Sequence, residues 1–159
     1  MMEILIGSIK LKIAESVFDN IYPFIQDDNI KPEAGGILLG YYITSEEFCI
    51  IEISLPCVED KATRYSFIRS RKNAQKIIDK NFKRSDGKII YLGEWHTHPE
   101  DYPSPSGVDR NSIKERLKKD KLNSDVIFTL ILGRKGLYIA AVNKNGIFGE
   151  RNINYDKIE

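Results

Sequence analysis

A stretch dense in proline, directly after an apolar run that ends in two histidines, constrains this chain more than any other feature. Pro99, Pro103 and Pro105 fall within seven residues. Proline has no amide hydrogen to donate and a fixed φ, so this stretch is neither helix nor sheet interior. The apolar run at residues 89–98 is therefore a strand that must end at His98, and a loop of largely fixed shape follows it.

Hydrophobic periodicity divides the rest of the chain into strands and helices. Two turn signals, residues 133–136 and 143–146, separate the final strands. The patterns predict eight strands, at residues 2–13, 37–43, 48–55, 65–68, 89–98, 126–132, 137–142 and 147–153. They predict three helices, at residues 14–26, 71–82 and 108–121. The expected fold class is α+β, with one mixed β-sheet domain flanked by helices over residues 1–159.

Composition excludes several classes of function. Lys and Arg total 24 against 23 for Asp and Glu, so no global basic field attracts nucleic acid or an anionic membrane. No apolar run approaches the roughly 18 residues of a membrane span, and the first residues do not resemble a signal peptide. We therefore expect a cytoplasmic protein, in which Cys49 and Cys57 are free, buried or semi-buried thiols.

The two histidines of the chain form the first element of a predicted site. His96 and His98 are two residues apart at the end of a predicted strand. Residues i and i+2 of a strand share a face, so both imidazoles point the same way. A catalytic zinc takes three protein ligands, often two histidines and a carboxylate, and leaves one position for water. The pair therefore predicts a zinc site that needs a third ligand.

Asp109 is the best candidate for that ligand, because it follows the proline-rich loop and opens the next predicted helix. Ten residues separate it from His98, enough for the loop to fold back toward the strand end. An aspartate at a helix start is also explained by capping alone. Spacing leaves three competing carboxylates open, Glu94, Glu100 and Asp101.

Hydrolysis of a peptide bond also needs a carboxylate that takes a proton from water and delivers it to the leaving amine. Glu33 is a candidate because it precedes the pair Gly35 and Gly36 at the start of a predicted strand. A glycine pair there permits close backbone approach. A phosphate-binding loop is disfavoured, since neither a GK[ST] sequence nor a helix follows the glycines.

Together these residues resemble the JAMM (MPN+, JAB) metalloprotease family. The matching residues are Glu33 before the glycine pair, HTHP at residues 96–99, Ser106 and Asp109, in that order. The resemblance implies a cytidine-deaminase-like MPN/JAB fold, zinc bound by His96, His98 and Asp109, and Glu33 as the acid/base residue. It further implies that Ser106 helps to hold the tetrahedral oxyanion, although a serine there is also explained as a turn or cap residue.

The sequences YLGEWHTHP at residues 91–99 and PSPS at residues 103–106 are similar to the prokaryotic JAB branch of this family. That branch includes proteins encoded in CBASS antiphage operons, beside ubiquitin-activating-like and ubiquitin-conjugating-like enzymes. The resemblance implies an isopeptidase that cleaves after the C-terminal tail of a ubiquitin-like or otherwise conjugated protein, such as a cyclic-nucleotide synthase. We expect the tail to lie extended beside a sheet edge.

Two other functions stay open at this point. The same site could process the tail of a sulfur-carrier protein in biosynthesis, as in other bacterial JAMM proteins. Alternatively, the chain could be a binding scaffold whose zinc is structural. A structural zinc needs a closed set of four ligands, and no cysteine lies close to the motif in the sequence.

Overall fold

The computed structural model describes residues 1–157. Eight strands form one mixed sheet: β1 (Met2–Ile6), β2 (Ile9–Ile13), β3 (Gly35–Thr44), β4 (Glu47–Ile53), β7 (Ile90–Thr97), β8 (Ile127–Leu132), β9 (Gly136–Asn143) and β10 (Gly146–Asn154). A separate two-stranded sheet contains β5 (Lys61–Thr63) and β6 (Ser66–Ile68). The helices are α1 (Glu15–Ile21), α2 (Arg71–Arg84) and α3 (Gly107–Lys119), with short 3₁₀ helices at Tyr22–Phe24 and Tyr155–Lys157.

The strand order of the large sheet is β1-β2-β4-β3-β7-β8-β9-β10. Only the β2–β4 and β7–β8 pairs are parallel, and the other neighbours are antiparallel. Parallel neighbours need a crossover connection, and α3 lies in the one between β7 and β8. The order places β7, the strand that carries His96, at the centre of the sheet between β3 and β8.

Both faces of the sheet are covered, which is why β8 is buried at every residue. One face packs against α1 through Val17, Phe18 and Ile21. The opposite face packs against Ala74 of α2 and Ile113 of α3. The α+β fold class expected from the sequence is confirmed, and it is extended by the small β5–β6 sheet.

The prediction for the first 26 residues is partly wrong. Residues 2–13 form two antiparallel strands rather than one, because Gly7 adopts a left-handed φ of 59° and the chain reverses there. The helix predicted to reach Gln26 ends at Ile21 and continues only as a 3₁₀ turn that contains Pro23. Proline without an amide hydrogen fits this first-turn position but not an extended α-helix.

The third helix also differs from its prediction. The apolar residues Val108, Ile113 and Leu117 predict one buried face for the helix at residues 108–121, but Val108 is 75% exposed. Five residues of α-helix turn the chain by about 140° beyond a full turn, so Val108 and Ile113 point in different directions. Helix α3 consequently buries only Ile113 among its described residues.

No helix within residues 1–157 is long and apolar enough for a membrane crossing.

A bulge in β7 decides which way the functional residues face. The pairing of β3 with β7 shifts between Leu38 and Leu39, next to Gly93, whose φ is 135°. Before the bulge, Leu92 packs with the α1 side of the sheet, and after it Trp95 does so instead. The alternation is thus shifted by one residue. This shift turns Glu94 and His96 toward the face that carries α3.

Candidate metal centre

His96 and His98 lie side by side at the C-terminal end of β7, as their spacing predicts. The two Nε2 atoms are 3.1 Å apart, and both side chains are largely shielded from solvent. His98 is anchored by its amide, which donates to the carbonyl of Leu132 in β8. The central position of β7 therefore fixes both imidazoles from the backbone.

Asp109 reaches the two histidines from the first turn of α3. Its Oδ1 lies 3.3 Å from Nε2 of His96, and its Oδ2 lies 3.2 Å from Nε2 of His98. The residue that caps α3 is Ser106, not Asp109. The Ser106 hydroxyl accepts from the Asp109 amide at 3.1 Å, and Oδ2 of Asp109 accepts from the Ser106 amide at 2.8 Å. This reciprocal capping box holds the Asp109 carboxylate in place.

The three side chains present donor atoms of the kind and spacing that zinc requires. The two Nε2 atoms are 3.1 Å apart, and each lies 3.2–3.3 Å from a different oxygen of the Asp109 carboxylate. These separations are close to the edge of a tetrahedron with bonds of 2.0–2.1 Å, which is about 3.3–3.4 Å. Two imidazole nitrogens and a carboxylate oxygen also form a donor set typical of catalytic zinc. The residues present therefore fit a zinc ion held by His96, His98 and Asp109.

The structure places the three competing carboxylates outside this triangle. Glu100 accepts from Nδ1 of His98 at 2.8 Å, on the far side of the ring, and so leaves Nε2 directed at Asp109. Glu94 pairs with Arg69, and Asp101 pairs with Arg134.

Glu33 lies in the two-residue segment just before β3, and its side chain reaches the candidate metal centre. One carboxylate oxygen and the ring nitrogens of His96 and His98 all lie within 4.8 Å of one another. Its amide donates to the carbonyl of Thr63, and the side chain is buried with 5% exposure. Glu33 thus stands beside the donor triangle, in reach of a molecule that binds there.

A glycine pair makes this approach feasible, as the sequence predicts. A Cβ atom on Gly35 would lie 2.6 Å from the carbonyl oxygen of Trp95 and 2.7 Å from the ring of Phe67. A Cβ atom on Gly36 would lie 2.3 Å from the carbonyl oxygen of Ser54. A side chain on Gly35 would crowd the β7 backbone at Trp95, and one on Gly36 would crowd Ser54 after β4, so either would displace the start of β3 and Glu33 with it.

Sequence reasoning missed the buried residue that holds these segments together, Gln26. Its side chain is completely buried, donates to the carbonyls of Lys31 and Arg64, and accepts from the Thr97 hydroxyl, each at 3.0 Å. The same hydroxyl accepts from the amide of Ala34 at 3.0 Å. Gln26 therefore links the turn of the β5–β6 sheet, the segment before Glu33, and β7 between the two histidines. Only Thr97, placed between the two histidines, carries a sequence signal for this network.

The pKa values of the two carboxylates in the centre, Glu33 and Asp109, are shifted in opposite directions. Burial raises the pKa of Glu33 to about 7, and the negative charge of Asp109 acts in the same direction. Burial also acts to raise the pKa of Asp109, but hydrogen bonds with His96 and His98 hold it well below its usual range. Burial opposes a charged His98, yet hydrogen bonds to Asp109 and Glu100 raise its pKa. Asp109 is thus a permanent anion suited to a metal, and Glu33 is suited to exchange a proton near neutral pH.

Comparison with known proteins assigns a family to this arrangement. The family model of prokaryotic homologs of the JAB domain matches residues 14–147. The chain belongs to this family. The match includes every residue of the candidate metal centre, and the resemblance to JAB proteins inferred from the sequence is confirmed.

Curated relatives of the JAB-domain chain include two bacterial proteins named CD-NTase/cGAS isopeptidase. The one from Pseudomonas aeruginosa is 35% identical over 136 residues, which are 86% of this chain and 85% of that protein. The one from Vibrio cholerae is 33% identical over 123 residues, 77% of this chain and 76% of that protein. A solution structure of a protein from Desulfitobacterium hafniense has a similar fold, with a TM-score of 0.58, 18% identity and 89% coverage of both chains.

Proposed function

We propose that this chain is a zinc-dependent isopeptidase that releases a protein from the lysine to which its C-terminal tail is conjugated. One observation carries the proposal: the donor triangle of His96, His98 and Asp109, with its edges of 3.1–3.3 Å, has the buried carboxylate of Glu33 beside it. A zinc ion bound there would polarise the scissile carbonyl and lower the pKa of water to about 7.

The side chains around the triangle have distinct tasks in this reaction. Hydrolysis adds water across the amide, so the carbonyl carbon gains a hydroxyl and the lysine nitrogen gains a proton. Glu33, with a pKa near 7, takes the proton from the attacking water and then passes it to the departing amine. Glu100 keeps the His98 ring oriented through Nδ1. The Ser106 hydroxyl uses its oxygen as a cap acceptor, which leaves its hydrogen to donate to the developing oxyanion.

The relatives define the substrate that we propose. Proteins that share 33–35% identity with most of this chain are named CD-NTase/cGAS isopeptidase. We therefore propose a conjugated CD-NTase as the substrate here, in an antiphage system that also supplies ubiquitin-activating-like and ubiquitin-conjugating-like enzymes. No observation in the structure favours a sulfur-carrier protein instead.

The first test is metal content combined with cleavage of a defined conjugate. The substrate is a CD-NTase from the same genome, joined by the neighbouring ligase enzymes to a lysine of a carrier protein. Purified protein should contain one zinc per chain by elemental mass spectrometry and should release a CD-NTase with a free C-terminal carboxyl. Chelation should stop the release, and zinc should restore it.

Two variants separate the metal ligand from the proton carrier. Glu33→Gln should keep stoichiometric zinc and lose at least a hundredfold in rate, whereas Asp109→Ala should lose zinc and activity together. Hydrolysis that survives chelation would overturn the zinc mechanism. If Glu33→Gln lost its zinc, Glu33 would be a fourth ligand and the zinc would be structural, as in a scaffold.

A further inference from the structure

A cavity of about 130 Å³ opens directly beside the candidate metal centre. His96 and Asp109 form one side of it, and residues of β6, β7, β8 and α3, together with Arg69, form the rest. A larger cavity of about 620 Å³ lies between α2 and the chain after α3, but none of the residues of the donor triangle lines it. A substrate residue next to the scissile bond would therefore enter the smaller cavity.

Three charged side chains line this cavity and were not used in the mechanism. Glu94 accepts from Nε of Arg69 at 2.6 Å and from Nη2 at 3.3 Å, and the Tyr91 hydroxyl donates to its second oxygen. The side chains of Arg69 and Glu94 are only 10% and 18% exposed. Both oxygens of Glu94 are thereby engaged, and its charge balances that of Arg69.

Arg116 is the third charged residue, and its one nearby carboxylate among the described residues is Glu94, which already pairs with Arg69. Its Nη2 lies 3.7 Å from Glu94, too far for a hydrogen bond, and its side chain is 25% exposed. Within residues 1–157 the guanidinium donates no hydrogen bond to another residue. Asp109 also borders the cavity, but its oxygens lie 3.2–3.3 Å from the imidazoles. One positive charge with free donors thus remains for a ligand.

Apolar side chains form two sides of the cavity, and the Ser112 and Thr129 side chains also line it. Phe67 and Ile68 of β6 line one side, and the buried Ile113 of α3 lines the other. An apolar wall that ends at a guanidinium fits a side chain with methylene groups and a terminal carboxylate, because arginine binds carboxylates through paired N–H donors. Glutamate has this structure.

We propose that this cavity is a specificity subsite for an acidic side chain, chiefly glutamate, next to the scissile bond, with Arg116 as its anchor. The proposal rests on the isopeptidase function proposed above and adds a preference within it. A charge-assisted hydrogen bond in a half-buried site changes kcat/KM by about tenfold or more.

A series of fluorogenic isopeptides tests this preference. Each carries a six-residue tail joined through its C-terminal carboxyl to a lysine side chain, with Glu, Gln or Lys at one of the positions flanking the bond. At one position the wild-type protein should prefer Glu over Gln by at least tenfold in kcat/KM. Arg116→Gln should reduce that preference to below twofold through slower cleavage of the Glu substrates, and Arg116→Glu should favour Lys there.

The control variant is Lys118→Gln, which removes the same charge from an exposed position on the same helix. It should keep the full preference, and the melting temperatures of all variants should agree within a few degrees. Zinc-dependent cleavage with equal rates for Glu and Gln at every position would overturn the subsite and leave the proposed function standing.

Binding measurements test the cavity independently of turnover. The same isopeptides, labelled with a fluorophore, are titrated with the zinc-loaded Glu33→Gln variant and followed by anisotropy. The Glu isopeptide should bind at least tenfold more tightly than its Gln partner, and Arg116→Gln in the same background should remove the difference. Absence of cleavage by the wild type would count against the proposed function, whereas equal or absent binding would overturn the subsite.

Discussion

Replacing Gln26 by methionine should separate the positioning of Glu33 from the binding of metal. Methionine has nearly the same length but can neither donate to the carbonyls of Lys31 and Arg64 nor accept from Thr97. The segment that carries Glu33 would then be held by fewer bonds, while the backbone bonds that fix β7 would remain.

The magnitude follows from the groups left without a partner. The Lys31 carbonyl still accepts from Nη1 of Arg64 at 3.2 Å, so it keeps one bond. The Arg64 carbonyl and the Thr97 hydroxyl hydrogen lose the bonds that Gln26 supplied. Each unsatisfied buried group costs about 1–3 kcal/mol, so the two groups give a total of about 2–6 kcal/mol, or roughly 4–24 °C in Tm for a chain of this length.

The assay compares Gln26→Met with Gln75→Met, since Gln75 lies on the exposed side of α2 and its side chain donates only to Asp79 among residues 1–157. Calorimetry should show the loss in Tm for Gln26→Met alone. Zinc content should stay at one per chain in both variants, while kcat on the conjugate should fall at least tenfold for Gln26→Met with little change in KM. Equal Tm values and equal kcat for the two variants would refute the positioning role.

Three further outcomes are expected. In chemical denaturation, Gly93→Ala should lose more than about 4 kcal/mol of unfolding free energy or fail to fold, because its Cβ would lie 1.9 Å from the Phe128 carbonyl oxygen. The control Gly107→Ala should be neutral or slightly stabilising, because its Cβ would meet nothing within 4 Å. Glu100→Gln should weaken zinc binding about 10–100-fold in a competition titration, while Glu115→Gln on the exposed face of α3 leaves it unchanged. In metal-free protein, burial raises the pKa of Glu33 from 4.5 to about 7. The unfolded state therefore loses the Glu33 proton at lower pH than the folded state does, and the free energy of unfolding of the wild type falls as pH rises from 5 to 8. Glu33→Gln should therefore gain unfolding free energy relative to wild type over that range, and a difference independent of pH would contradict the raised pKa.

The sequence predicted most of the sheet because the patterns that define it are local. Alternation and turn residues located β3, β4 and the three final strands within a few residues. The sequence failed where local signals were weak. A single glycine divided residues 2–13 into two strands, and the three-residue strand β5 lay inside a segment that showed only polar character.

The candidate site, like the sheet, could be predicted from the sequence only in part. The spacing of His96 and His98 placed two imidazoles together, and the proline-rich loop gave Asp109 a short return path to them. The spacing could not decide which carboxylate contacts the histidines, because Glu94, Glu100 and Asp101 are all closer to them along the chain than Asp109 is. The capping box of Ser106 and the ion pairs of Glu94 and Asp101 settle where each carboxylate lies.

By itself, therefore, the sequence determined which residues enter the proposed chemistry: two histidines at a strand end, an acid at a helix start, and a glutamate before a glycine pair. Only the tertiary structure decided how they face one another. The bulge at Gly93 determines which face of the sheet His96 points to. The hydrogen bond between Gln26 and Thr97, which are 71 residues apart in the chain, connects the segment before Glu33 to β7. Such contacts join residues that are distant in the chain. Periodicity and spacing compare only near neighbours, so they cannot predict these contacts.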